Sequence, residues 1–291
     1  MASGAELLTV DSLTVRFGGI VALNNISFSI KPASITALIG PNGAGKTTLF
    51  NCITGFYRPT AGSIHLQRAG QTFDIVKCLG DAPRFRDINP TDLPSKLFYF
   101  WFGGSHLVSR AGVARTFQNI RLFPEMTAIE NLLVAQHLKA NRNPFAGLLN
   151  TRGFRHRETA LVEKAYQWLD TVGLGDHANK LAAELPYGHQ RRLEIARAMC
   201  TDPILVCLDE PAAGLNPTET EDLARLIKRL NQEFKVTVFV IEHDMSLVMD
   251  ISHHVVVLNY GQVIASNDPA SVRKDPLVLA AYLGDEEEPH S

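Results

Sequence analysis

The sequence predicts an α/β fold, with a mixed, largely parallel sheet flanked by helices and a small antiparallel sheet beside it. Two observations carry this expectation. Three uninterrupted apolar runs, SITALIG (34–40), ILVCL (204–208) and VTVFVI (236–241), read as strands buried on both faces, and they alternate with stretches of helical periodicity. An early alternating segment and a late hairpin pattern supply the antiparallel part.

Taken in order, Leu8, Val10, Leu13, Val15 and Phe17 form an alternating edge strand. The buried strand 34–40 runs into a glycine-rich turn, and KTTLFNCITG (46–55) then has helical character and stops at Gly55, a residue suited to ending a helix. Residues from about 68 to 110 are dense in turn formers yet hold the apolar run Leu97 to Phe102, which predicts an inserted loop with its own small packed cluster. Leu161, Ala165, Trp168, Leu169 and Val172 fall on one helical face that ends near Gly173, opening a helical subdomain that closes near Pro186. After ILVCL, a helix started by Asn216 and Pro217 carries Leu223, Leu226, Ile227 and Leu230. Two short runs, VVVL and QVIA, flank Asn259, Tyr260 and Gly261 as a hairpin, and the tail GDEEEPHS has no apolar content and is expected to be disordered.

Composition narrows the function classes. The chain has 28 Lys plus Arg against 30 Asp plus Glu, so no basic field marks it as a partner of nucleic acid or of an anionic membrane. Glu6 and Asp11 lie within the first twenty residues and no basic stretch precedes an apolar run, which argues against a signal peptide and predicts a cytosolic chain. The charge-free segment Leu97–Ser109 falls well short of the ~20 residues a helix needs to cross a bilayer. Cys52, Cys78, Cys200 and Cys207 lack metal-ligand spacing and are expected to be buried, reduced thiols.

The strongest chemical signal is GPNGAGKT, Gly40 to Thr47, followed by Thr48. Glycines at these offsets let backbone N–H groups curl around phosphate oxygens, and the helix that follows adds partial positive charge. In this pattern Gly40, Pro41, Asn42, Gly43, Ala44 and Gly45 form the cradle, Lys46 reaches the β and γ phosphates of ATP, and Thr47 binds Mg²⁺. A second site stands at the end of ILVCLDEP, where an apolar strand delivers Asp209 as a Mg²⁺ ligand and Glu210 as the group that polarises an attacking water.

These motifs, with ARTFQN, VIEHD and LPYGHQRRLEIARAM, resemble in order the ABC (ATP-binding cassette) ATPase family over nearly the whole chain. The resemblance implies a RecA-like P-loop core, an antiparallel β subdomain and an α-helical subdomain, within one ATPase domain. Core and β subdomain fall at about 5–67 and 111–128, the inserted loop at 68–110, the helical subdomain at 129–190, further core at 191–265 and a C-terminal extension at 266–291. It further implies that Gln118 contacts metal and water, that His243 hydrogen-bonds the γ-phosphate, and that Phe17 stacks on adenine. LPYGHQ stands where the family begins LSGGQ, so Tyr187, Gly188 and His189 would meet ATP held by a second subunit. Pro186 replaces the usual serine and removes one phosphate contact, leaving Gly188 and His189 to carry more of the binding. AAGLN (212–216) matches the loop after the acidic pair, with Asn216 in place of aspartate.

A finer resemblance, in RTFQNIRLFPEMTAIENLLVAQH, DEPAAGLNPTE, IEHDMSLVMDIS and DPLVLAAYLGDE, is to the ATPases of branched-chain amino acid importers. It implies transmembrane permease partners, an extracytoplasmic solute-binding protein, and a peripheral position on the cytoplasmic face of the inner membrane. Homodimer and heterodimer remain open, as do an exporter or lipid-extracting ATPase and a non-transport ABC ATPase.

Overall fold

The computed structural model describes residues 6–80, 103–136 and 152–283. Its strands are β1 (Leu8–Phe17), β2 (Ile20–Ile30), β3 (Ile35–Ile39), β4 (Ala61–Arg68), β5 (Gln71–Asp74), β6 (Val113–Arg115), β7 (Leu205–Asp209), β8 (Thr237–Ile241), β9 (His254–Asn259) and β10 (Gln262–Asn267). They form a six-stranded sheet in the order β10-β9-β3-β8-β7-β6 and a four-stranded antiparallel sheet in the order β2-β1-β4-β5. In the larger sheet every pairing is parallel except that of β10 with β9.

Strands β3, β7 and β8 are buried at every residue, as their unbroken apolar sequences require. Side-chain alternation divides them between two cores. Leu38, Cys207, Phe239 and Val256 pack with the helix Lys46–Ile53 and the antiparallel sheet, whereas Ile39, Leu208, Val240 and Val257 pack with the helices Tyr187–Met199 and Pro217–Phe234. Trp168 and Leu169, on the helix Arg152–Thr171, join the second core and fasten the helical subdomain to the sheet. Asn216 starts the helix Pro217–Phe234 in a capping box with Glu219, with Pro217 in its first turn. Among the described residues no helix is long and apolar enough to cross a membrane, and all four cysteines are buried, with no disulfide between them.

Two expectations change. The closing hairpin belongs to the large sheet rather than to the small antiparallel one: Val255–Leu258 are all buried, and β9 pairs in parallel with β3. A strand covered on both faces belongs inside a sheet, and β10 supplies its edge. The stretch read as an inserted loop from residue 68 begins as ordered sheet, because β5 pairs with β4 and extends the antiparallel layer. The excursion then returns to its origin, with Gly104 N–H donating to the Cys78 carbonyl at 2.9 Å. The apolar run Leu97–Phe102 and the tail GDEEEPHS lie outside the described residues.

Candidate functional site

The phosphate-loop residues join the end of β3 to the helix Lys46–Ile53. Gly40 has φ +148°, and a Cβ there would lie 2.0 Å from the Leu258 carbonyl oxygen of β9, so only glycine lets β3 leave the sheet at this point. Lys46 folds back over the loop, its Nζ donating to the carbonyls of Gly40 (2.6 Å) and Pro41 (2.8 Å). Asn42, Gly43, Ala44, Gly45, Lys46, Thr47 and Thr48 line one side of a cavity of about 470 Å³, which Glu210 and His243 also line. Ile20, Val21 and Tyr260 line it as well, and Ile20 and Tyr260 are 72% and 85% exposed. Phe17 does not line this cavity; its ring is half exposed and meets Tyr57 edge-on at 5.5 Å.

The parallel strands β7 and β8 end side by side, with Asp209 in register with Ile241, so the residues that follow each strand converge. Glu210 has φ +45°, a strained conformation for a non-glycine residue, and its N–H donates to the Ile241 carbonyl at 3.0 Å. Its carboxylate is held on both oxygens: Gln118 Nε2 donates to Oε2 at 2.6 Å, and His243 Nε2 lies 2.6 Å from Oε1. Asp209, one residue earlier, is buried and accepts from Arg115 Nη2 at 2.9 Å. Burial pushes the Asp209 carboxyl above its ordinary range, and Arg115 opposes that shift.

The segment 186–189 lies apart from the cavity-lining residues. Pro186 caps the helix Tyr187–Met199 without a side-chain hydrogen bond. Tyr187 is exposed and lies over Gly214, where a Cβ would be 3.1 Å from the ring. Gly188 is buried against the Glu219 side chain. The His189 ring lies 5.3 Å from that of His177.

A phosphate loop, a strand-end acidic pair and a Gln and a His meeting on one carboxylate can bind a nucleoside triphosphate and direct a water at it. The comparisons agree in kind. Residues 23–213 match the family described as ABC transporter, and residues 262–288 match that described as branched-chain amino acid ATP-binding cassette transporter. The chain belongs to the ABC transporter family. It is 49% identical to the high-affinity branched-chain amino acid transport ATP-binding protein BraF of Pseudomonas aeruginosa and 47% identical to LivG of Escherichia coli K12, in each case over 96% of this chain and 98% of the relative. Its fold resembles a crystal structure of an ABC-transporter ATP-binding cassette in the ADP conformation, with a TM-score of 0.73 and 30% identity over 96% of this chain and 99% of that one.

Two residues of this ABC cassette carry site geometry that sequence patterning passed over. Arg115 ends β6, reaches Asn51 Oδ1 (2.6 Å) as well as Asp209, and has the rings of Phe50, Phe56 and Phe117 within 4.9 Å of its guanidinium. Its only sequence signal is a charge closing a short apolar strand three residues before Gln118. Glu242, buried after β8, accepts from the N–H groups of Ala212 (2.7 Å) and His243 (3.1 Å), tying the loop after Glu210 to the histidine. Burial raises its carboxyl, and those amides pull it back.

Proposed function

We propose that this ABC cassette is the ATP-hydrolysing subunit of an importer of branched-chain amino acids. The convergence of Gln118 and His243 on Glu210, which together with His243 lines the cavity of the Lys46 loop, carries the hydrolytic part. Near-full-length similarity to BraF and LivG, named for high-affinity branched-chain amino acid transport, supports the cargo class. Under this reading the cassette works as one of two paired ATPase subunits, bound to transmembrane permease subunits at the cytoplasmic face of the inner membrane and fed by a solute-binding protein.

The loop Gly40–Gly45 offers backbone N–H groups to the phosphates, and Lys46 turns from its own loop carbonyls to the β and γ oxygens. The donor set suits Mg²⁺. Thr47 lines the cavity, Asp209 immediately precedes Glu210, and the Gln118 nitrogen faces Glu210, which leaves its oxygen as a donor. These three residues would hold the ion, which when bound neutralises charge on the transferring phosphoryl group. Glu210 polarises the attacking water, and His243 orients it. Tyr187, Gly188 and His189 close over the ATP of the second subunit, with the Gly188 N–H at a helix N-terminus facing phosphate.

Labelled leucine uptake in cells that depend on this gene, comparing the native chain with Lys46→Ala, tests the whole reading. Loss of uptake in the variant alone is the expected result, and equal uptake by both would remove the cargo assignment. Glu210→Gln tests hydrolysis by itself. Phosphate release from the assembled complex should fall by roughly a hundredfold to ten-thousandfold.

A further inference from the structure

Among the described residues Arg191 has the largest fully buried side chain, and it is a charged one. It lies one helical turn beyond Tyr187, yet its bonds run to another segment. Nη1 donates to the Phe117 carbonyl (2.7 Å) and to Glu194 Oε2 (2.9 Å), while Nη2 donates to the Gln118 carbonyl (2.7 Å) and to the Tyr187 hydroxyl (3.2 Å). Glu194 completes the grip, its Oε1 accepting from the N–H groups of Phe117 and Arg121, each at 3.3 Å. Two side chains of one helix thus read both the carbonyls and the amides of the segment that carries Gln118.

A buried ion pair is a poor source of stability, because desolvation consumes most of its Coulombic gain and apolar side chains of equal volume do as well. What it supplies is position. The Gln118 side chain bonds Glu210, so a shift of the Phe117–Gln118 backbone moves that amide relative to the carboxylate.

We infer that Arg191, braced by Glu194, is a positioning residue that sets Gln118 against Glu210, so that the Tyr187–Gly188 segment and the hydrolytic carboxylate of the same chain move together. This rests on the hydrolytic reading above. Nucleotide seated against Tyr187 and Gly188 would then be felt at Glu210 through an unbroken path: the Tyr187 hydroxyl, the Arg191 guanidinium, the Gln118 backbone and the Gln118 amide.

A double-mutant cycle tests it, with the full chain assembled with its membrane subunits. Arg191→Lys keeps the charge but cannot span two carbonyls, and should lower kcat about tenfold with ATP affinity within about twofold of native. In a Gln118→Ala background the same substitution should cost nothing more, because the group it positions is gone. Multiplicative losses would overturn the inference, since a purely structural residue acts independently of Gln118. Glu194→Gln, which preserves volume and an acceptor, gives a second entry to the cycle should Arg191→Lys fold poorly, with the same two outcomes. Glu210→Gln assayed alongside separates the readings: unchanged turnover there removes hydrolysis by Glu210, whereas a multiplicative cycle beside an inactive Glu210→Gln removes only the role of Arg191.

Discussion

Arg115 and Asp209 join the ends of two neighbouring parallel strands, 2.9 Å apart, with both side chains about nine-tenths buried. The guanidinium is also enclosed by Phe50, Phe56 and Phe117, so removing it strands a carboxylate in an apolar setting. Arg115→Met should therefore cost about 3 kcal/mol in urea unfolding, and adding Asp209→Asn should recover part of that loss. A cost under about 1 kcal/mol would place the pair with weak surface contacts.

Gly188 has no room for a methyl group. Its Cβ would sit 2.5 Å from Glu219 Oε1, and the same glutamate closes the capping box at Asn216. Gly188→Ala should displace Glu219 and cost about 1 kcal/mol of stability through the lost cap. Thermal melts of Gly188→Ala, Glu219→Ala and the double variant check this, the double losing no more than Glu219→Ala alone.

His189 makes stability fall on acidification. Burial lowers its pKa, and Arg192, His177 and Lys180 lower it further against the opposing pull of Glu219. The unfolded chain titrates at the ordinary value near 6.5, so it binds more protons than the native state below that pH. The contribution is therefore complete above about 6.5 and is lost as pH falls through the lowered native value. His189→Gln should flatten the decline in Tm between pH 7.5 and pH 5.5, and parallel curves for the two proteins would refute it.

Glu242 holds two amides that would otherwise be orphaned beside Glu210. Glu242→Gln keeps one acceptor oxygen and should be mild, whereas Glu242→Ala should cost about 2 kcal/mol and reduce turnover. Chemical denaturation alongside phosphate release separates the two variants.

The phosphate loop and the Asp209–Glu210 pair were legible because each is a contiguous string at the end of an apolar strand. The helix starts at Asn216 and the stop at Gly55 were legible for the same reason: capping is written in neighbouring residues. Arg115, Glu242 and the Arg191–Glu194 grip were not. Arg115 reaches a residue 94 positions away, and Arg191 reaches carbonyls 74 and 73 positions away. Nothing local marks such partners, since they depend on which strands pair and in what register. The sheet that holds the closing hairpin is hidden from the sequence for a related reason, because period and turn residues identify a hairpin but not its neighbour.

By itself, then, the sequence determined the strand and helix alternation, the loop chemistry that suits a phosphate, and the acids delivered beside it, all of them properties of short stretches of chain. Tertiary structure alone decided that Gln118 and His243, far apart in the sequence, close on the two oxygens of Glu210. It also decided that a buried arginine on a distant helix sets one of them in place. The physical reason is that parallel strands pair across long crossovers, so the site is assembled from strand ends whose register is set by the packing of the two cores.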